Sequence, residues 1–111
     1  MPLTAAPAVI SRYFALDAER DVDGVTALFA ADATVVDERE THHGTAAIRA
    51  WRAGPASRYE YTTDVLQIEA DGPDRYVVTA RLTGNFPGNT VVLRHAFTIA
   101  GETIVRLVIS P

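Results

Sequence analysis

Residues 75–109, RYVVTARLTGNFPGNTVVLRHAFTIAGETIVRLVI, decide the fold class. From Thr90 to Ala100 the chain alternates, with Leu93, His95, Phe97 and Ile99 on one face and Arg94, Ala96 and Thr98 on the other. That period of two belongs to a half-buried strand. Gly84-Asn85-Phe86-Pro87-Gly88-Asn89 before it is a wide turn and Gly101-Glu102 after it a tight one, because these residues accept turn geometry at low cost. Arg75 to Thr83, Thr90 to Ala100 and Thr103 to Ile109 therefore read as successive strands. Upstream, Asp71-Gly72-Pro73-Asp74 is another turn, and Arg58 to Ala70 reads as the long strand that opens the meander.

Before Ser57 the period is helical. Thr4 to Arg20 carries Val9, Ile10, Tyr13, Phe14 and Leu16 at the spacing of one buried face. Asp21 is placed to cap a second helix, Val22 to Ala30, with Asp23 in its first turn, where a carboxylate suits the helix dipole. Ala33 to Glu38 turns β-branched and reads as a short strand, and Arg39 to Gly44 reads as a loop. Thr45 to Ala53 is a third short helix presenting Ile48, Trp51 and Arg52, with Gly54-Pro55 as its stop. Three helices followed by long strands predict an α+β domain spanning 1–111. Its curved antiparallel sheet wraps the helices as a cone-shaped α+β barrel with an apolar bottom and an open mouth.

Composition agrees. At 111 residues, 48% hydrophobic and 22% charged, the chain can bury roughly two-thirds of its unfolded surface in one core. Ten Lys+Arg against fourteen Asp+Glu give a net charge of −4, and no basic run is long enough to neutralise several phosphates, which argues against nucleic acid. The lack of cysteine removes disulfides, thiol catalysis and thiolate zinc sites. Met1 to Ala8 has no signal-peptide pattern, and no run of about 18 apolar residues occurs, so a soluble, cytoplasmic protein that does not enter membranes is expected.

Three polar residues fall at positions with chemical meaning. His95 shares the apolar face of its strand, either as a satisfied core histidine or as a group aimed at a ligand. Asp37 points with Val35, so if Val35 faces the helices Asp37 does too, and a carboxylate partly withdrawn from water suits a general base. The other reading sets Asp37 at the start of the loop, in water beside Glu38 and Glu40. Tyr13 lies on the stripe of the first helix, and its hydroxyl needs a partner, which is either Asp17 one turn on or a ligand. His42-His43 is a weak metal signal, since adjacent side chains diverge, and neither a metal nor a cofactor is expected. Trp51, Tyr59 and Tyr61 read as core or interface area.

Tyr13-Phe14, Asp21-Val22-Asp23-Gly24-Val25, the run from Leu28 to Asp37 and Gly44-Thr45-Ala46-Ala47-Ile48-Arg49 together resemble the opening of the nuclear transport factor 2-like superfamily, within it the SnoaL-like proteins and bacterial ketosteroid isomerases. The dense match covers about the first half. Beyond it, His95-Ala96-Phe97-Thr98-Ile99 and Gly101-Glu102-Thr103-Ile104 are similar to the family's last hairpin, and Thr83-Gly84-Asn85-Phe86-Pro87-Gly88 looks like a feature of SnoaL-like proteins.

The resemblance implies Asp37 as general base, Tyr13 as oxyanion donor and His95 at the place of the second oxyanion donor, with Phe14, Asp17, Val35, Trp51 and Phe97 lining the pocket. Two departures stand out. A histidine replaces an acid at position 95, and Asp17 replaces an apolar residue, where it competes for the Tyr13 proton. The implied function is a small-molecule pocket protein moving a proton on a carbonyl compound, as an isomerase or cyclase would, with a small hydrophobic ligand. The alternative is a non-catalytic binding or dimerisation module, and the expected homodimer pairs through the outer sheet face, where Arg81, Arg94 and Thr98 sit. A third option, water addition of the epoxide hydrolase type, needs Arg106 between Asp17 and Asp37.

Overall fold

The computed structural model describes residues 7–54 and 60–111. Helices α1 (Ala8–Ala18) and α2 (Val22–Ala27) precede strands β1 (Phe29–Asp37) and β2 (Glu40–His43). Helix α3 (Thr45–Ala53) follows, then strands β3 (Tyr61–Ala70), β4 (Arg75–Gly84), β5 (Thr90–Ala100) and β6 (Thr103–Ser110). The starts expected at Thr4 and Arg58, with Pro55 and Tyr59, lie outside the described residues.

The α+β architecture is the one the chain's periodicity implies, with two local differences. Asp21 caps α2 as expected, its carboxylate accepting from Gly24 N at 2.9 Å. The helix then ends at Ala27 rather than Ala30, and Phe29 opens a nine-residue strand. Tertiary pairing overrides local propensity here: Ile104 N donates to Leu28 O at 2.9 Å, and Phe29 pairs with Ile104. The expected loop Arg39 to Gly44 contains β2. Asp37 pairs with Glu40 across a two-residue turn in which Glu38 and Arg39 have φ of 52° and 68°. Such turns favour Asn-Gly, so Glu-Arg hides the hairpin from a residue-type reading.

The sheet order is β2-β1-β6-β5-β4-β3, and among the described residues it does not close into a complete barrel. It is mixed rather than wholly antiparallel, because β1 and β6 run parallel, joined by everything between them in the chain. The helices cover one face. Val9, Ile10 and Tyr13 of α1, Val25 of α2 and Ile48 and Trp51 of α3 pack with Val35, Val78, Phe97, Ile104 and Leu107 into one buried cluster. Each such side chain contributes about 1.5–3 kcal/mol when fully withdrawn from water. Register carries two rows across that inner face, Ile68–Val78–His95–Ile109 and Thr63–Leu82–Val91. Another row, Thr34–Arg106–Thr98–Arg75, runs across the outer face.

Candidate functional site

Where the inner face curves away from α1 it leaves a cavity of about 800 Å³. Tyr13, Phe14 and Asp17 of α1 form one side, Trp51 of α3 and Asp37 of β1 another, and Leu82, Val91, Leu93 and Ile109 of the sheet form an apolar wall. Tyr61, Thr63 and His95 add polar groups to that wall, and Phe86 and Pro87 of the β4–β5 turn also border the space. Glu38, Arg39 and Ser110 border it as well.

His95 is only 5% exposed. Its ring stacks on Phe97, with centroids 6.4 Å apart, and meets Phe14 edge-on at 5.2 Å. Burial pushes its pKa down to about 4, against a smaller upward effect of a hydrogen bond with the backbone of Val78, its partner in the ladder. The ring is therefore neutral at pH 7 and carries one N–H. Its Nδ1 is withdrawn from solvent and makes no hydrogen bond among the described residues.

Tyr13 packs edge-on against Phe97 at 5.4 Å and Phe14 at 5.1 Å. Its phenol pKa is raised, first by burial and then by the carboxylate of Asp17, so the hydroxyl stays protonated and serves as a donor. The partner suggested for it, Asp17, is held by other groups. Arg52 places Nε 3.0 Å from Asp17 Oδ1 and donates through Nη2 to the Asp17 carbonyl at 3.0 Å. Tyr61 donates its hydroxyl to Asp17 Oδ2 at 3.1 Å. Burial raises the pKa of Asp17, while Arg52, the Tyr61 hydrogen bond and Arg20 oppose the rise. Tyr61 is itself pushed up by burial and by Asp17.

Local sequence explains this clamp. Ile48 and Arg52 are four residues apart on α3, so an arginine occupies the buried stripe and is fully enclosed. Tyr61 pairs with Gly84, where a Cβ would lie 2.2 Å from Glu60 O and 2.7 Å from Tyr61 Cβ. The bare glycine thus permits the close approach that seats Tyr61.

Of the two orientations open to Asp37, it takes the inner one, shared with Val35. Trp51 Nε1 donates to its Oδ2 at 3.0 Å, and Oδ1 has no hydrogen-bond partner among the described residues.

Tyr13, Asp37 and His95 thus border one cavity, with Phe14, Asp17 and Trp51. Val35 and Phe97, expected in the lining, are enclosed in the core behind it, because the helices close over that end of the sheet. Arg106 is exposed on the outer face, paired with Thr34 and Thr98, and does not stand between carboxylates. The arginine beside an inward carboxylate is Arg52. Neither the role of Arg52 nor the polar role of Tyr61 follows from spacing, and the signal the sequence carries for the first is an arginine on the apolar stripe of α3. His43 Nδ1 meets Thr34 Oγ1 at 2.9 Å, and His42 lies beside Trp51. No group of three His, Cys, Asp or Glu is arranged to hold a metal among the described residues. Nor is any helix among them long and apolar enough to cross a membrane.

A family model for the SnoaL-like domain matches residues 10–107. Among solved structures, the chain is similar to a candidate polyketide cyclase from Sinorhizobium meliloti, with 36% identity, TM-score 0.88 and coverage of 96% of this chain and 97% of that one. It shares a fold with a Catenulispora acidiphila protein of ketosteroid isomerase-like fold solved in complex with trimethylamine. There the identity is 21%, the TM-score 0.83 and the coverage 96% and 86%. It also shares a fold with the epoxide hydrolase/cyclase-like enzyme SalBIII of pyran ring formation in polyether salinomycin, at 20% identity, TM-score 0.79 and coverage of 92% and 86%. Among curated protein sequences, none matches.

Proposed function

The chain belongs to the SnoaL-like domain family of the nuclear transport factor 2-like superfamily, and from that premise we propose that it moves a proton on a carbonyl compound held in the cavity. One observation carries the reading. A protonated Tyr13 hydroxyl without a hydrogen-bond partner among the described residues and a neutral, buried His95 border the same apolar-walled space as Asp37. Fixed neutral donors in a water-poor site stabilise the oxygen on which charge develops.

In this mechanism Asp37 Oδ1 takes a proton from the carbon next to the carbonyl. The C–H electron pair becomes the C=C bond of an enolate, and charge moves to the oxygen, where Tyr13 and His95 donate. Asp37 then returns the proton to another carbon of the conjugated system, giving an isomer with no oxidant or co-reactant. Trp51 fixes the carboxylate through Oδ2, and Phe14, Leu82, Val91 and Leu93 hold the ligand body, which is small and hydrophobic. The related cyclase-type protein is consistent with carbonyl chemistry of this kind.

The test is conversion of a β,γ-unsaturated ketone to its conjugated isomer, followed by ultraviolet absorbance. Asp37→Asn keeps an acceptor for Trp51 and should abolish turnover with the fold intact; undiminished turnover removes Asp37 from the base role.

Pairing of two copies through the outer sheet face accompanies this reading. Val92, on that face beside Arg81, is 45% exposed. Val92→Asp should shift a dimer to monomer in sedimentation, and an unchanged mass would refute pairing through this face.

A further inference from the structure

Asp17 is a charged side chain at a position where a plain pocket needs only bulk. Burying an ion pair costs desolvation that well-packed apolar groups would avoid. A clamp meant only to tie α1 to α3 could also sit wholly behind the wall, as Arg52 does. Asp17 instead forms part of the cavity surface. An ionised carboxylate accepts about four hydrogen bonds; here Oδ1 is ion-paired with Arg52 and Oδ2 accepts one hydrogen bond, from Tyr61. Tyr61 also borders the cavity, and because its proton points to Asp17, its oxygen presents only lone pairs to a ligand.

Near Tyr13 and His95, which donate, the cavity therefore has a second group of polar atoms that only accept. Tyr13 and Asp17 are one helical turn apart, about 5–6 Å between their Cβ atoms, so both groups reach one ligand.

We propose that the ligand carries a hydroxyl, phenol or enol donor on the same ring system as its carbonyl and several ångströms from it, and that Asp17, held by Arg52 and Tyr61, is the specificity-determining residue that accepts its hydrogen bond. This rests on the reading that Tyr13 and His95 hold the carbonyl. A hydrogen bond to a charged acceptor makes the hydroxylated compound bind about tenfold or more tighter than its deoxy analogue. A ligand lacking the donor leaves Asp17 facing an apolar group.

Trp51 is the one tryptophan of the chain and borders the cavity, so quenching of its fluorescence reports binding. The probes are 1-tetralone and its 5-, 6- and 7-hydroxy derivatives, titrated into the full chain and into the double variant Asp17→Leu/Arg52→Leu, which removes both charges together. At least one hydroxytetralone should bind about tenfold tighter than 1-tetralone and lose that advantage in the double variant. If circular dichroism shows that variant unfolded, Asp17→Asn decides in its place, and the advantage should fall several-fold.

Equal binding of 1-tetralone and all three derivatives overturns the proposal, as does an advantage that survives loss of the Asp17 charge. If 1-tetralone binds and is weakened by Tyr13→Phe while no derivative is preferred, the carbonyl reading stands and only this inference falls. Failure of all four compounds to bind overturns both.

Discussion

Replacing His95 by phenylalanine is expected to change how stability depends on pH. A histidine in an unfolded chain titrates near 6.5, whereas His95 in the fold is pushed down to about 4 by burial. Above pH 6.5 the ring is neutral in both states and favours neither. Between these values the unfolded chain binds a proton that the folded one refuses, so stability falls as pH falls, with the loss complete near pH 4. The gap of about 2.5 pH units, at 1.36 kcal/mol each, makes this loss about 3 kcal/mol. Asp17 runs the other way, because its raised pKa makes acidification favour the fold. Asp17 and the remaining carboxylates are common to both proteins and largely cancel in the difference between them. Phenylalanine preserves the ring contacts with Phe14 and Phe97. Urea unfolding measured from pH 7 to pH 4 should show the parent losing about 3 kcal/mol more than His95→Phe. Parallel curves for the two would refute the burial of a neutral imidazole, and with it the neutral donor beside Tyr13.

Other perturbations follow from the clamp. Arg52→Leu alone leaves Asp17 buried without its partner and should cost about 3–5 kcal/mol in chemical denaturation, whereas adding Asp17→Leu should recover most of that loss; additive costs would show that the pair is not coupled. Gly84→Ala puts a Cβ against the backbone of Glu60 and Tyr61 and should destabilise by about 1–3 kcal/mol. An unchanged thermal midpoint would contradict the close approach that seats Tyr61.

Much of this arrangement is legible before any coordinates. The alternation around His95 places it inward and the stripe of α1 places Tyr13, whereas spacing alone leaves Asp37 either inward with Val35 or in water beside Glu38 and Glu40. The first two placements rest on periods of 2 and 3.6 residues, which local sequence carries directly. Parallel pairing of β1 with β6 is different, since its two strands stand at opposite ends of the chain and neither contains a mark of its neighbour's direction. The β1–β2 hairpin escapes because Glu38 and Arg39 adopt left-handed backbone that residue type argues against. The Arg52–Asp17–Tyr61 clamp escapes for a third reason, as it joins three elements whose approach is settled only when the core closes. Asp17 lies one turn from Tyr13 and so reads as a competitor for its proton, whereas α3 and β3 supply the groups that engage it.

The most direct measurement is exchange of the α-hydrogens of 1-tetralone in deuterium oxide, followed by NMR, with and without the protein. It asks only whether a proton leaves the carbon next to a carbonyl, and so does not depend on the natural ligand. With Asp37 as the base, exchange should be faster than in buffer alone, abolished in Asp37→Asn and reduced in Tyr13→Phe. Exchange at the buffer rate, or equal acceleration by Asp37→Asn, would contradict that role.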